Sequence, residues 1–256
     1  MAGICHDRPV EIFGALIAGS FIGAVLGFVG AGGAMLSVPI LTYLFGFTPH
    51  HASTAALAIV FLAAASGAIP KFRKADVLIR EALTIWALGL ITNVGGSWIS
   101  HRLSDGAIMT GFAVVLASAG TSMLIKPVTG SEKRMSPLVL IAVSLTIGLI
   151  TGLFGIGGGF LAIPVLVLAF KTPQSKAAGT SLAIISMNSL TALLAHYSNW
   201  SEINWAIPAV MAMAAIIVAT SASHHSAKFS AVSLRRAFAL LLYTVALFTL
   251  LQTYLG

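Results

Sequence analysis

Two glycine-rich stretches carry the residue types best suited to chemistry in this chain. Gly30-Ala31-Gly32-Gly33-Ala34 and Gly155-Ile156-Gly157-Gly158-Gly159 each open an apolar, helix-length run. Glycine reaches backbone conformations that side chains disfavour. The first amides of the following helix have no intrahelical acceptor, so they project as donors with the positive end of the helix dipole behind them. Such a group of donors suits an anion. Hydroxyl and amide side chains follow: Ser53 and Thr54 after the first stretch, then Thr180 and Ser181 after the second, with Asn188 further along. A neutral hydroxyl coordinates an oxyanion without the desolvation cost of a buried cation, although at helix starts the same side chains also serve as plain caps. Pro39 and Pro164, some six residues beyond each turn, delete a backbone hydrogen bond and suit either packing or a gating motion.

The elements that must hold these groups are set by composition. Of 256 residues, 58% are hydrophobic and only 8% charged, and the mean hydropathy is +0.99. A water-soluble fold of this length needs about 25% charged residues, so the chain is expected to be an all-α integral membrane protein with the lipid bilayer as its surroundings. A membrane barrel is excluded because the runs are apolar throughout rather than alternating in ~10-residue pieces. The single cysteine, Cys5, permits neither an internal disulfide nor a multi-thiolate metal site, so no metal and no cofactor is expected. The net charge of +7 is not organised as a basic cluster interleaved with aromatics, which sets nucleic-acid binding aside. Nor does the start of the chain read as a cleaved signal, since Arg8 is flanked by Asp7 and Glu11 and the apolar run continues past Val29.

Ten helical segments are expected, near 12–29, 34–46, 53–70, 81–100, 106–125, 137–154, 159–170, 178–197, 205–223 and 234–255. They form an internal repeat. Gly23 to Ala34 matches Gly148 to Gly159, Pro39-Ile-Leu matches Pro164-Val-Leu, and Leu57-Ala-Ile-Val matches Leu182-Ala-Ile-Ile, all at an offset of 125 residues. The expected organisation is therefore a first membrane repeat over 1–128, a linker at 129–136 and a second repeat over 137–256. Five segments per half make the halves inverted repeats, each with a Gly-rich discontinuous helical hairpin.

Charge placement favours counting all ten. One side then receives Lys71, Arg73, Lys74, Arg80, Lys126, Lys133, Arg134, Lys171, Lys176, Lys228, Arg235 and Arg236, and the other only Arg8 and Arg102. Cytoplasmic loops carry the excess of Lys and Arg, so both termini are expected outside. The two short segments rise only about 18 to 20 Å as helix against a hydrocarbon core of about 30 Å. If their far ends sit at the surface, their glycine-rich ends lie inside the membrane. Gly19, Gly23 and Gly27, with Ser144, Gly148 and Gly152, read as small-residue packing stripes. Trp98, Trp200 and Trp205 read as an interfacial belt on the outer side.

The seven acids fall at segment ends or in loops and no Lys or Arg lies deep in a span, which disfavours a buried carboxylate relay. His196, at the outer end of a span and near Trp200, is the histidine best placed to sense protons. No Walker loop, zincin motif or Gly-x-Ser-x-Gly elbow is present, so an enzyme is not expected and energy must come from an ion gradient, the substrate or a partner chain.

The duplicated Gly-x-Gly-Gly turn followed by Pro-x-Leu, with Gly179-Thr180-Ser181-Leu182 after the second copy, resembles the sulfite exporter TauE/SafE family over nearly the whole chain. The resemblance implies an inner-membrane transporter of a small sulfur-containing or organic anion such as sulfite, a sulfonate or thiosulfate. Ala34 in place of a third glycine, and Ser53-Thr54-Ala55 in the region of Gly179-Thr180-Ser181, depart from the pattern in the first half. The expected activity is alternating access by a secondary transporter, with the anion near the midplane between the two turns. A passive anion channel uses the same residues, and an intramembrane enzyme is the rival from another class. Assembly with further copies of the chain is compatible with the sequence.

Overall fold

Apolar side chains on every face, rather than on one stripe, suit helices that are buried in protein on one side and in lipid on the other. The computed structural model, which describes residues 8–100, 102–124, 136–154, 159–168 and 171–255, is helical throughout, with no strand among them. The helices are α1 (Arg8–Val29), α2 (Gly33–Phe45), α3 (Pro49–Arg73), α4 (Ile79–Ser100), α5 (Asp105–Leu124), α6 (Pro137–Phe154), α7 (Gly159–Leu168), α8 (Gln174–Ala195), α9 (Ala206–His225) and α10 (Ala231–Leu255). Short 3-10 turns cover Tyr197–Glu202 and Ser226–Lys228. Among the described residues six helices, namely α1, α3, α5, α8, α9 and α10, are both long and apolar enough to cross a membrane. The linker expected at 129–136 lies almost wholly outside the described residues.

Small residues set the closest helix contacts. Gly19, Gly23 and Gly27 of α1 lie against Met211, Ala215 and Ala219 of α9 in the same order, so the two helices run parallel with backbones nearly touching. In lipid, where apolar burial between helices gains little, such close van der Waals packing is what drives association. The expected counterpart stripe does the same: Gly148 of α6 meets Gly89 and Thr92 of α4, and Thr92 Oγ1 donates to Leu145 O at 2.8 Å. The first long helix of each half therefore lies along the fourth helix of the other half.

The helix directions test the ten-segment count. Down α3, Thr54, Gly67 and Lys71 meet His196, Leu182 and Ser175 of α8, so α3 and α8 are antiparallel. Had α7 failed to reverse the chain, α3 and α8 would be parallel. α5 and α10 are antiparallel as well, with Thr110 bonded to Tyr254, Thr121 to Tyr243 and Met123 O to Arg235.

Local geometry repeats at the same 125-residue offset. α2 ends at Gly46 with φ 67°, and the chain after α7 turns through Lys171 with φ 55°. Phe47 N donates to Leu41 O at 3.1 Å and Thr172 N to Leu166 O at 3.0 Å. At the helix starts that follow, Ala52 N donates to Thr48 O and Ala177 N to Pro173 O. Glycine enters the left-handed region freely, whereas a lysine there costs about 1 to 2 kcal/mol, so the turn itself dictates the conformation in the second half.

Two expectations need correction here. α8 starts at Gln174 rather than near 178, which places Thr180 and Ser181 in its second turn, past the capping positions. Lys71 falls just past the segment expected at 53–70, but α3 extends to Arg73 and includes it. It lies within the last turn of α3 and is 2% exposed.

Candidate functional site

Between α1 and α2 the chain reverses over three residues, Gly30, Ala31 and Gly32, with φ 83° at Gly30 and 94° at Gly32. Both values lie where L side chains resist, which explains the glycines at these two positions. Gly30 also has no room for a side chain, since a Cβ would stand 2.6 Å from Ala178 Cα of α8. Gly33 is crowded by Leu26. Gly32 occupies the cap position of α2 and offers no side-chain acceptor, so the first-turn amides, which include that of Ala34, are left uncapped. Ser37 Oγ, one turn on, donates to Gly33 O at 2.7 Å.

Ala178 is four residues into α8, so the turn lies about 6 Å along the axis from that helix's first residue. α1, with 22 residues, is long and apolar enough to cross a membrane by itself, and the turn follows directly at its end. It is the far end of α2 that stops short: Phe45 packs beside Gly14 of α1, six residues in from Arg8. Pro39 and Pro164 are accommodated inside α2 and α7 without ending either helix. Gly159 is the first residue of α7, while Gly155, Gly157 and Gly158 lie outside the described residues.

The hydroxyls divide between the two ends of the antiparallel α3–α8 pair. Thr180 Oγ1 donates to Lys176 O at 2.7 Å and accepts from Leu78 N at 3.0 Å, which ties the start of α4 to α8. Ser181 is fully buried three residues on from Ala178, on the same face and one turn deeper than the glycine turn. Ser53 and Thr54 belong to the opposite end. Thr54 Oγ1 shares a hydrogen bond of 3.1 Å with His196 Nδ1, and His51 pairs with Glu202 at 3.4 Å nearby. Asn188 is half-buried eight residues beyond Thr180, and the neighbouring Ser189 Oγ is buried with no hydrogen-bond partner among the described residues.

One polar cluster escapes a reading based on charge at segment ends. Lys71 Nζ donates to Ser226 Oγ at 2.7 Å and to Ser175 Oγ at 3.2 Å, and Ser175 Oγ in turn donates to Asp76 Oδ2. The lysine therefore joins the end of α3 to the start of α8 and to the turn after α9. A signal was available in the repeat, because Lys71 and His196 are themselves 125 residues apart. Each sits at the last turn or cap of its helix and contacts the first turns of the other.

The sulfite exporter TauE/SafE family model matches residues 15–249, which covers every helix bordering the turn and both ends of the α3–α8 pair. The chain belongs to the sulfite exporter TauE/SafE family. A Xylella fastidiosa (strain 9a5c) protein named "Probable membrane transporter protein" is 29% identical over 245 residues, spanning 92% of this chain and 94% of that protein. A Methanocaldococcus jannaschii protein with a name of the same form is 27% identical over 197 residues, 73% of each chain. A similarly named protein from Bacillus subtilis (strain 168) is 24% identical over 217 residues, with 74% of this chain and 79% of its own length covered. This family member is a multi-pass membrane transporter.

Proposed function

We propose that this TauE/SafE family member is a secondary transporter of a small sulfur-containing or organic anion, of the class of sulfite, thiosulfate and short sulfonates, working by alternating access. The observation that carries the reading is the Gly30–Gly33 turn: two left-handed glycines present the uncapped start of α2, with the hydroxyl of Ser181 one turn deeper on the adjoining face of α8. Donors and a positive dipole end favour an anion, and a cation finds no carboxylate in the middle of any described helix. Gly155 to Gly159 of the second half, with Ser53 and Thr54 of α3 from the first, are the opposite end of the pathway, with Asn188 between the two ends and Pro39 and Pro164 as the points where the short helices yield.

In this reading residues 1–128 and 137–256 are inverted repeats. The antiparallel α3–α8 pair, the exchange of α1–α9 with α6–α4 and the duplicated turn hydrogen bonds all support it. The end bearing Lys71, Lys74, Lys176, Lys228 and Arg235 faces the cytoplasm, both termini face out, and the membrane is the inner one of a cell with two. Cysteine labelling in a Cys5→Ser background tests the orientation. Arg73→Cys and Lys228→Cys should react with an impermeant maleimide only after the cell is permeabilised, and Glu202→Cys in intact cells. Labelling of Arg73→Cys in intact cells would reverse the orientation.

Function is tested by flux of radiolabelled sulfite and thiosulfate into proteoliposomes across an imposed pH gradient. Saturable uptake with counterflow is expected. Saturation without counterflow marks a passive channel, and the absence of any anion flux removes the proposal.

A further inference from the structure

We infer that Lys71 forms an anion-binding vestibule one turn away from the glycine turn, where a sulfonate-class anion is held before it reaches the pathway or after it leaves. The inference rests on the anion reading above and adds a site to it. A cavity of about 240 Å³ opens between α1, α8, α10 and the turn after α9, lined by Phe28, Lys71, Gln174, Ser175, Ala178 and Leu234 among others. That volume accommodates sulfate or a short sulfonate with water. Ala178 belongs both to the cavity wall and to the contact with Gly30, so the vestibule and the turn adjoin.

The charge arrangement selects the occupant. An ammonium has three donors, and two of Lys71's are taken by the hydroxyls of Ser226 and Ser175. Neither hydroxyl carries the negative charge that a buried cation needs for compensation. Asp76 acts on the ammonium through space and is bonded to it through Ser175, while among the described residues no carboxylate oxygen lies within 4 Å of the ammonium. The start of α8 borders the same space, with Pro173 at its cap and no side-chain acceptor for its first amides. Lys74, whose Nζ donates to His224 O, and Lys228 and Arg235 sit on the flanking elements without lining the cavity, so Lys71 is the one cation in its wall among the described residues.

The test uses purified full-length protein in detergent carrying Cys5→Ser and Leu234→Cys, since Leu234 lines the cavity and its side chain carries no hydrogen bond. The probes are 2-sulfonatoethyl methanethiosulfonate and its trimethylammonium counterpart, each rate divided by that with a small free thiol. The anionic reagent should react about tenfold faster than the cationic one, as expected for a charge focused in a cleft, and millimolar methanesulfonate should slow it. Lys71→Gln, which can still bond both hydroxyls, should abolish the preference, and Lys71→Arg should keep it. Equal rates in the parent protein, or an unchanged preference in Lys71→Gln with a normal gel-filtration profile, would overturn the vestibule. Counterflow of labelled anion is measured on the same parent preparation. Counterflow with no reagent preference removes only the vestibule, and preference with no counterflow removes only the transport reading.

Discussion

Gly23→Val should leave little folded protein. A Cβ at Gly23 would stand 2.5 Å from Ala215 O and 2.9 Å from Ala215 Cα, and both are backbone atoms of α9 that no rotamer change can move. α1 and α9 would have to separate along the whole stripe from Gly19 to Gly27, losing one of the close contacts that join the first half to the second. Overpacking of this kind costs about 3 kcal/mol or more, and about 1.4 kcal/mol is a factor of ten in an equilibrium. Monodisperse yield in gel filtration should therefore fall at least about tenfold. Gly14→Val is the control on the same helix, because its nearest neighbour is the ring of Phe45 at 3.7 Å, and it should keep its yield. Equal yields for the two variants would show that the α1–α9 contact contributes little to assembly.

Gly30→Ala should insert and yet lose transport. The substitution places an L side chain at φ 83°, at a cost of about 1 to 2 kcal/mol, and drives its Cβ to 2.6 Å from Ala178 Cα and 2.7 Å from Ala178 O. The turn must open away from α8, which carries the first-turn amides of α2 away from Ser181. Gly46→Ala separates the two contributions. It has φ 67° but nothing within 4 Å, so it meets only the backbone strain. Uptake of labelled anion per incorporated protein should drop at least about tenfold in Gly30→Ala, the scale of losing one charge-assisted hydrogen bond, and largely survive in Gly46→Ala. Normal uptake by Gly30→Ala would return the turn to a packing role.

Composition and apolar run length determined that this chain is a helical membrane protein, because a bilayer demands some twenty apolar residues per crossing and internal satisfaction of every backbone bond. The 125-residue offset was legible as a repeat of sequence motifs, and the bonds at Leu41 and Leu166 recur at the same offset. The glycines at 30 and 32 were legible as turn residues because their chemistry is local: only a residue without Cβ accepts those φ values.

What the sequence left open was decided by contacts between segments far apart in the chain. The depth of the glycine turn depends on the length of α1 and on where α8 crosses it, and neither is encoded in the turn itself. The hydroxyl of Thr180 was a candidate for ligand contact, yet it bonds to the Leu78 amide 102 residues away. Lys71 looked like one more loop cation in the run Lys71-Phe72-Arg73-Lys74. It is buried because Ser175 and Ser226 arrive from two other helix ends, and a charge at a segment boundary stays solvated or becomes enclosed according to which elements pack over it.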